Sequence, residues 1–145
     1  MDRSQANAHI AQLGQVLGLP DLALDDEGVC MLALGEDEFF VTLGLDAMGG
    51  LRLMICLDDV VPEGGQLAEL MAENFSPART EGGVFALLPE TGALVLHRRC
   101  GEDEFKAGGL ADVVAGLARV ARHWRARLQA PQAPQETHSF LGDRA

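Results

Sequence analysis

Apolar residues recur at helical spacing in the first segment of this chain. One helix face there consists of Ala6, Ile10, Leu13 and Leu17. Their steps of four, three and four residues are typical of an amphipathic helix. Ser4 is the predicted N-cap, Gly18 fits the position just past the end, and Pro20 prevents the helix from continuing.

Two later segments show the same helical periodicity. The shorter one carries Leu67, Leu70, Met71 and Phe75 on one face. The longer one carries Leu110, Val113, Val114, Leu117, Ala121, Trp124 and Leu128. The longer pattern extends over about five turns and predicts a substantial amphipathic helix. The shorter helix is marginal in water by itself, so its apolar face must be buried against the chain's own sheet or a partner subunit.

Between the first and second helical segments, short apolar runs alternate with turn residues. Residues 29–34, 38–45 and 51–57 read as three antiparallel strands joined by short loops that contain glycine. The first of these strands begins the meander and is therefore expected at an edge of the sheet, where an apolar strand must be covered.

A second β unit follows the short helix. Residues 84–88 and 93–99 are β-prone runs, and Pro89-Glu90-Thr91-Gly92 between them has the composition of a tight turn. This pattern predicts a β-hairpin. The predicted fold is α+β in the order α-β-β-β-α-β-β-α, a twisted antiparallel sheet with three helices. Residues 1–129 form one domain, and the Pro/Gln-rich residues 130–145 form a disordered tail.

Composition narrows the function classes. The chain has 145 residues, enough for one domain with a core, and a net charge of -11. Residues 21–104 hold 18 of the 22 acidic residues, so this body repels nucleic-acid phosphates. The arginines near the end are expected to complement a helix C-terminus and keep its outer face hydrated. No apolar run is long enough for membrane insertion, and the N-terminus lacks a signal-peptide pattern.

Residues that carry chemistry are few. The three cysteines, at positions 30, 56 and 100, lie far apart and read as buried thiols rather than metal ligands. The acidic run Asp25-Asp26-Glu27 lacks the alternating ligands of a calcium loop. His97 and Cys100 are the one pair that invites an enzymatic interpretation, a thiol with a histidine base. The sequence predicts no enzyme, no metal site and no cofactor.

Several segments together resemble one family. They are Gly18-Leu19-Pro20 with Gly28-Val29-Cys30, Glu73-Asn74-Phe75 before Gly82-Gly83, the turn and strand from Pro89 to Leu96, and His123-Trp124-Arg125. In their order and spacing these segments resemble the class I type III secretion chaperones, the Tir-chaperone or CesT-like family. The resemblance covers about residues 4–129, and the tail departs from it.

The resemblance implies a homodimer that binds the non-globular N-terminal segment of a secreted effector in the bacterial cytoplasm, without ATP. Its second helix and hairpin would form the dimer contact, which here means Leu67, Leu70, Met71, Phe75, Leu94 and Leu96. A candidate effector-binding patch joins the first helix to the first strands: Leu13, Leu17, Val29, Met31 and Phe39. Methionine suits a surface that accepts varied side chains.

Two alternatives stay open at this point. A chaperone-like protein of this kind can sequester a transcriptional regulator of secretion instead of an effector, and both uses need the same surface. The other alternative is a dimeric scaffold with an unrelated partner. Contact with the secretion apparatus is also left open.

Overall fold

The helices and strands follow one another in the predicted order. The computed structural model describes residues 1–36, 38–105 and 108–130. Its elements are α1 (Arg3–Leu17), β1 (Val29–Leu34), β2 (Phe39–Leu45), β3 (Leu51–Leu57), α2 (Gly64–Glu73), β4 (Val84–Leu87), β5 (Leu94–Cys100) and α3 (Gly109–Gln129). A short 3-10 turn at Glu102–Glu104 precedes α3. The α+β fold class is confirmed, and all of the predicted tail except Ala130 lies outside the described residues.

The five strands form a single antiparallel sheet. Their order is β1-β2-β3-β5-β4, so β1 lies at one edge as expected and β4 at the other. The hairpin strand β5 pairs with β3 over its whole length, from Leu51 opposite Cys100 to Leu57 opposite Leu94. The meander and the hairpin are thereby joined into one sheet.

Side-chain alternation along the strands separates a core face from an open face. The core face is formed by Cys30, Leu32, Leu34, Phe39, Val41, Leu43, Leu51, Leu53, Ile55, Leu57, Phe85, Leu94, Leu96 and Cys100, all of them buried. Helices α1 and α3 contact each other, and their buried residues belong to the same hydrophobic cluster. The two helices therefore cover this face, as expected for an amphipathic pair on one side of an antiparallel sheet.

The N-cap of the first helix lies two residues before the predicted one. Asp2, not Ser4, is the N-cap: its carboxylate accepts the backbone N–H of Gln5 at 2.9 Å, and the Gln5 side chain accepts the Asp2 N–H at 2.8 Å. This reciprocal pair satisfies two backbone donors, which Ser4 cannot do alone. Gly18 ends the helix in the left-handed region, with a φ of 69°, as predicted.

The Gly82-Gly83 pair has a packing reason. Gly82 has a φ of 75°, and a Cβ on Gly83 would lie 2.7 Å from the Leu96 side chain and 2.8 Å from that of Leu117. Only glycine lets the chain enter β4 so close to β5 and α3. The Phe85 ring then packs edge-on to Trp124, with 5.9 Å between the ring centroids.

Candidate protein-binding surfaces

The outer edge of β1 presents free backbone groups. In its register with β2, alternate residues of β1 direct their N–H and C=O groups away from the sheet. At Val29 both groups are occupied, because the N–H donates to the Asp25 carboxylate at 3.0 Å and the C=O accepts the Asp25 N–H at 2.7 Å. Within the described part of the chain, the outward groups of Met31 and Ala33 have no partner. This stretch can accept another strand.

Exposed apolar side chains flank this edge on the open face of the sheet. The Met31 side chain is 63% exposed and that of Phe40 is 54% exposed. Phe40 lies on β2 directly opposite Ala33 of β1, while Val29 is half-buried. A strand added at β1 would therefore find both unpaired backbone groups and apolar surface, which are the two components of strand-addition recognition.

The five predicted effector-binding residues divide by burial. Met31 and Leu17 are exposed and Val29 is half-buried, whereas Leu13 and Phe39 are inside the core at 1% and 3% exposure. Strand alternation explains the position of Phe39, which shares a face with Val41 and Leu43. The assignment of all five residues to effector binding stays a prediction.

A shallow groove lies between the end of α1 and the start of α3. Its volume is about 330 Å³, and it is lined mainly by Leu13, Val16, Leu17, Leu34, Ala111, Val114, Ala115 and Ala118. Small side chains on α3 leave this space beside Val16, which is 70% exposed. The groove brings Leu13 and Leu17 together, but not with Met31, which projects from the open face of the sheet.

The α2 region forms the second apolar surface. Met71 and Phe75 are 73% and 92% exposed, and Val61 just before the helix is 85% exposed. Leu67 is half-buried, and Leu70 is buried at 2%. Of the six residues predicted at the dimer contact, Leu94 and Leu96 are also buried, on the core face of the sheet, and the assignment of all six to a dimer contact stays a prediction.

Acidic residues of the body pair with the arginines of α3. Arg122 contacts the Glu38 carboxylate at 2.7 Å, and Arg119 contacts Glu81 at 3.2 Å. Arg125 donates to the Glu38 carbonyl at 2.8 Å, and its guanidinium lies 4.3 Å from the centroid of the Phe39 ring. The arginines of α3 thus make specific contacts with the acidic body, beyond the solvated role expected from the sequence.

A further ion pair holds the turn between β2 and β3. The Arg99 Nε lies 2.6 Å from an Asp46 carboxylate oxygen. This hydrogen bond, helped by backbone N–H donors from Gly50 and Met48, holds the pKa of Asp46 well below its usual range.

The histidine and thiol that invited an enzymatic interpretation do not face each other. His97 and Cys100 are three residues apart on β5, so their side chains project to opposite faces of the sheet. Burial raises the pKa of the Cys100 thiol, which disfavours the nucleophilic thiolate. Burial, with the positive charge of Arg52, lowers the pKa of His97. A thiol–histidine pair cannot form here.

Within the described residues there is no group of His, Cys, Asp and Glu side chains that could hold a metal ion. Nor does any described helix combine the length and apolarity needed to cross a membrane.

Comparison with known proteins decides the family. The model of the Tir chaperone protein (CesT) family matches residues 8–125. This chain belongs to the Tir chaperone protein (CesT) family. The resemblance noted from the sequence is therefore confirmed, while no curated protein matches the sequence significantly.

Solved structures similar to this CesT-family chain include three complexes. The ExsC–ExsE complex matches with a TM-score of 0.76 and 27% identity, over 91% of this chain and 100% of that chain. The HopA1–SchA chaperone–effector complex matches with a TM-score of 0.71 and 22% identity, over 86% of this chain and 98% of that chain. The third is the Yersinia pestis type III secretion chaperone SycH with a stable fragment of YscM2, at a TM-score of 0.67 and 18% identity, over 81% and 98%. At 22% and 18% identity, the last two matches show similarity of fold alone.

Proposed function

We propose that this CesT-family protein is an ATP-independent type III secretion chaperone. It binds the non-globular N-terminal segment of a secreted effector and keeps that segment competent for export. The observation that carries the proposal is the open edge of β1, where the backbone groups of Met31 and Ala33 point outward beside the exposed side chains of Met31 and Phe40.

Recognition follows from the chemistry of that edge. An extended client segment pairs its backbone with β1 and places alternate side chains against the apolar open face. Backbone pairing is largely independent of sequence, and the flexible Met31 side chain adapts to different client residues. The client therefore stays extended instead of burying its own apolar residues.

The acting species is a homodimer that associates through the α2 surface, defined here as Val61, Leu67, Met71 and Phe75. These side chains are apolar and mostly exposed in the single chain, and their burial against a second copy would remove them from water. A dimer has two β1 edges, and one client chain that contacts both gains affinity through multivalency.

The proposed function is binding without catalysis, and it agrees with the charge of the chain. Residues 1–129 act as a single binding domain without enzymatic activity. This domain acts in the bacterial cytoplasm, where unexported effectors are found. The acidic body disfavours nucleic acid as a partner and keeps a protein with exposed apolar patches in solution.

The test is a tagged pull-down from the native host, with the recovered complex weighed by light scattering. We expect two copies of this chain with one larger protein, held through roughly its first hundred residues, which at about 3.3 Å per extended residue is more than enough to reach both edges of a dimer. Recovery of a transcriptional regulator would favour the regulatory alternative. A monomer without any client would contradict both the dimer and the chaperone function.

The β1 edge is tested with Met31→Asp on the complex so recovered. We expect client affinity to fall at least about tenfold, because a charge at the edge is desolvated on strand addition, while the dimer survives. The matched control is Met48→Asp, at an 86% exposed methionine in the turn between β2 and β3. Unchanged affinity in folded Met31→Asp protein would remove β1 as the client site.

A further inference from the structure

The outer edge of β4 is closed by a single side chain. The Phe85 N–H donates to Oδ1 of Asn74 at 2.7 Å, and Nδ2 of Asn74 donates to the Phe85 C=O at 2.9 Å. Because Asn74 is the C-cap of α2, this pair also fixes the end of that helix against the sheet. The amide makes with Phe85 the two hydrogen bonds that a residue of a neighbouring strand would make.

The rest of this edge offers little to a partner. The Gly83 N–H already donates to the Thr80 C=O at 2.9 Å. By strand alternation, Leu87 is the remaining residue of β4 with both groups directed outward. One such residue is too short a stretch for stable strand pairing, so a partner strand finds no continuous template at β4.

The two edges of the sheet differ for this reason. At β1 the Asp25 side chain and backbone close the position of Val29, and two further outward-facing residues, Met31 and Ala33, follow it. At β4 the Asn74 side chain occupies the backbone groups of Phe85, which lies in the middle of a four-residue strand. A side chain that hydrogen-bonds to one outward-facing residue therefore leaves β1 able to pair with another strand and β4 unable to do so.

We infer that Asn74 is a positioning residue that makes the sheet one-sided, so that each subunit accepts an extended client segment at β1 alone and the edges of β4 do not pair between copies. The role in client binding rests on the proposed function. The role in preventing assembly between copies does not, and it is measured on the protein alone.

Asparagine suits this position chemically. Leucine has nearly the same shape but no polar atom, so Asn74→Leu leaves the Phe85 N–H and C=O without partners and free to pair with another strand. Aspartate keeps the acceptor for the Phe85 N–H but loses the donor, and it sets a carboxylate against the Phe85 carbonyl oxygen. A protonated carboxyl restores that donor.

The experiment compares full-length wild type, Asn74→Leu and the control Asn7→Leu. Asn7 also accepts a backbone N–H, that of Leu24 at 2.8 Å, but it lies on α1 and holds the segment beside β1, at the opposite edge of the sheet from β4. In Asn74→Leu we expect amide hydrogen exchange at Phe85 to accelerate at least about tenfold and sedimentation to reveal species larger than those of the wild type. Asn7→Leu should show neither change.

A rescue variant separates edge opening from simple destabilisation. Leu87→Pro removes an outward N–H that has no partner within the described residues, so it blocks strand addition without breaking the ladder to β5. Adding it to Asn74→Leu should restore the sedimentation behaviour of the wild type. Unaltered exchange at Phe85 with no larger species, or larger species that persist with Leu87→Pro, would overturn the inference.

Asn74→Asp decides the matter if Asn74→Leu does not fold. Its loss of stability relative to wild type should shrink as the pH falls towards the pKa of the new carboxyl, since the protonated form can donate to the Phe85 C=O. A loss that is the same at pH 7 and pH 5 would contradict the hydrogen-bonding role. None of these measurements depends on client binding, so failure of the pull-down and failure of this inference remain distinguishable.

Discussion

Helices α2 and α3 have similar apolar patterns, but the fold buries the apolar face of α3 and leaves most of that of α2 exposed. Helix α3 buries eight residues against the sheet and α1, among them Leu117 at 0% exposure. Within the described part of the chain, α2 buries Leu70 alone, while Met71 on the same helix is 73% exposed and Phe75 just beyond it is 92% exposed. The sequence periodicity shows that each helix has an apolar face, but it does not show what covers that face.

This difference separates an apolar helix face that stabilises the folded single chain from one that is largely left exposed in it. The apolar face of α3 contributes to folding, because its burial removes it from water in the single chain. Most of the apolar surface of α2 stays exposed in a single chain and adds little to its stability, and under the proposed function it contributes through association. This division predicts which substitutions change folding and which change assembly.

The largest expected effect is on α3. Leu117→Ala should lower the free energy of unfolding by about 2–5 kcal/mol, because the side chain is fully buried in the core and its removal leaves a cavity. Urea unfolding followed by circular dichroism measures this loss. A change below about 1 kcal/mol would mean that the α3 face is not the main core of the chain.

A smaller effect on stability, but a clear one on assembly, is expected at α2. The double substitution Met71→Asp with Phe75→Asp should weaken the dimer by about tenfold to a hundredfold, because it places charges in the proposed interface, while the helical content stays unchanged. Sedimentation equilibrium measures the dissociation constant. Val16→Asp, at an exposed apolar residue of α1, is the control that should leave the dimer intact. Equal weakening by the control would remove the distinction between the surfaces.

The smallest effect is expected at the Asp46–Arg99 pair, which belongs to neither helix. The pKa of Asp46 is depressed in the folded state. The stability that this carboxylate contributes is therefore fully present above its unfolded pKa near 3.9, and it is lost as the pH falls from that value towards the folded-state pKa. Asp46→Asn should therefore lower the urea midpoint slightly at pH 7, and by progressively less as the pH falls below about 3.9 towards the depressed pKa of the folded state. A difference that is constant with pH would show that the turn is held by packing instead of by this charge.

The sequence predicted the order of elements because periodicity and turn residues are local signals. It was less informative about exposure, as the adjacent Phe39 and Phe40 illustrate. Strand alternation sends one ring into the core and the other to the open face, and the shared parity of Phe39, Val41 and Leu43 was the available signal for the buried one. Phe40 was therefore missed as a surface residue, and so was Val16 on α1.

Contacts between distant segments lay beyond sequence reasoning. Asn74 and Phe85 are eleven residues apart, and their pairing depends on the angle between α2 and the sheet. The N-cap at Asp2 is a local feature that the sequence did contain, since Gln5 follows it at capping-box spacing. Ser4, two residues further on, competes with Asp2 in the sequence pattern because serine is also a good cap.

The position of β5 between β3 and β4 has a consequence for folding kinetics. The β1–β3 meander and the β4–β5 hairpin each close through short loops, but the β3–β5 ladder that joins them must close the chain from Leu57 to Leu94. Closing that long segment costs chain entropy before its contacts form, so we expect it to limit the folding rate. Ile55→Val in this ladder should slow refolding, whereas Leu34→Ala in the meander should mainly accelerate unfolding, which a chevron analysis separates.

During synthesis the meander emerges first and keeps an incomplete edge at β3 until the hairpin and α3 have followed, so the nascent chain passes through a stage in which it is itself a candidate client for other chaperones.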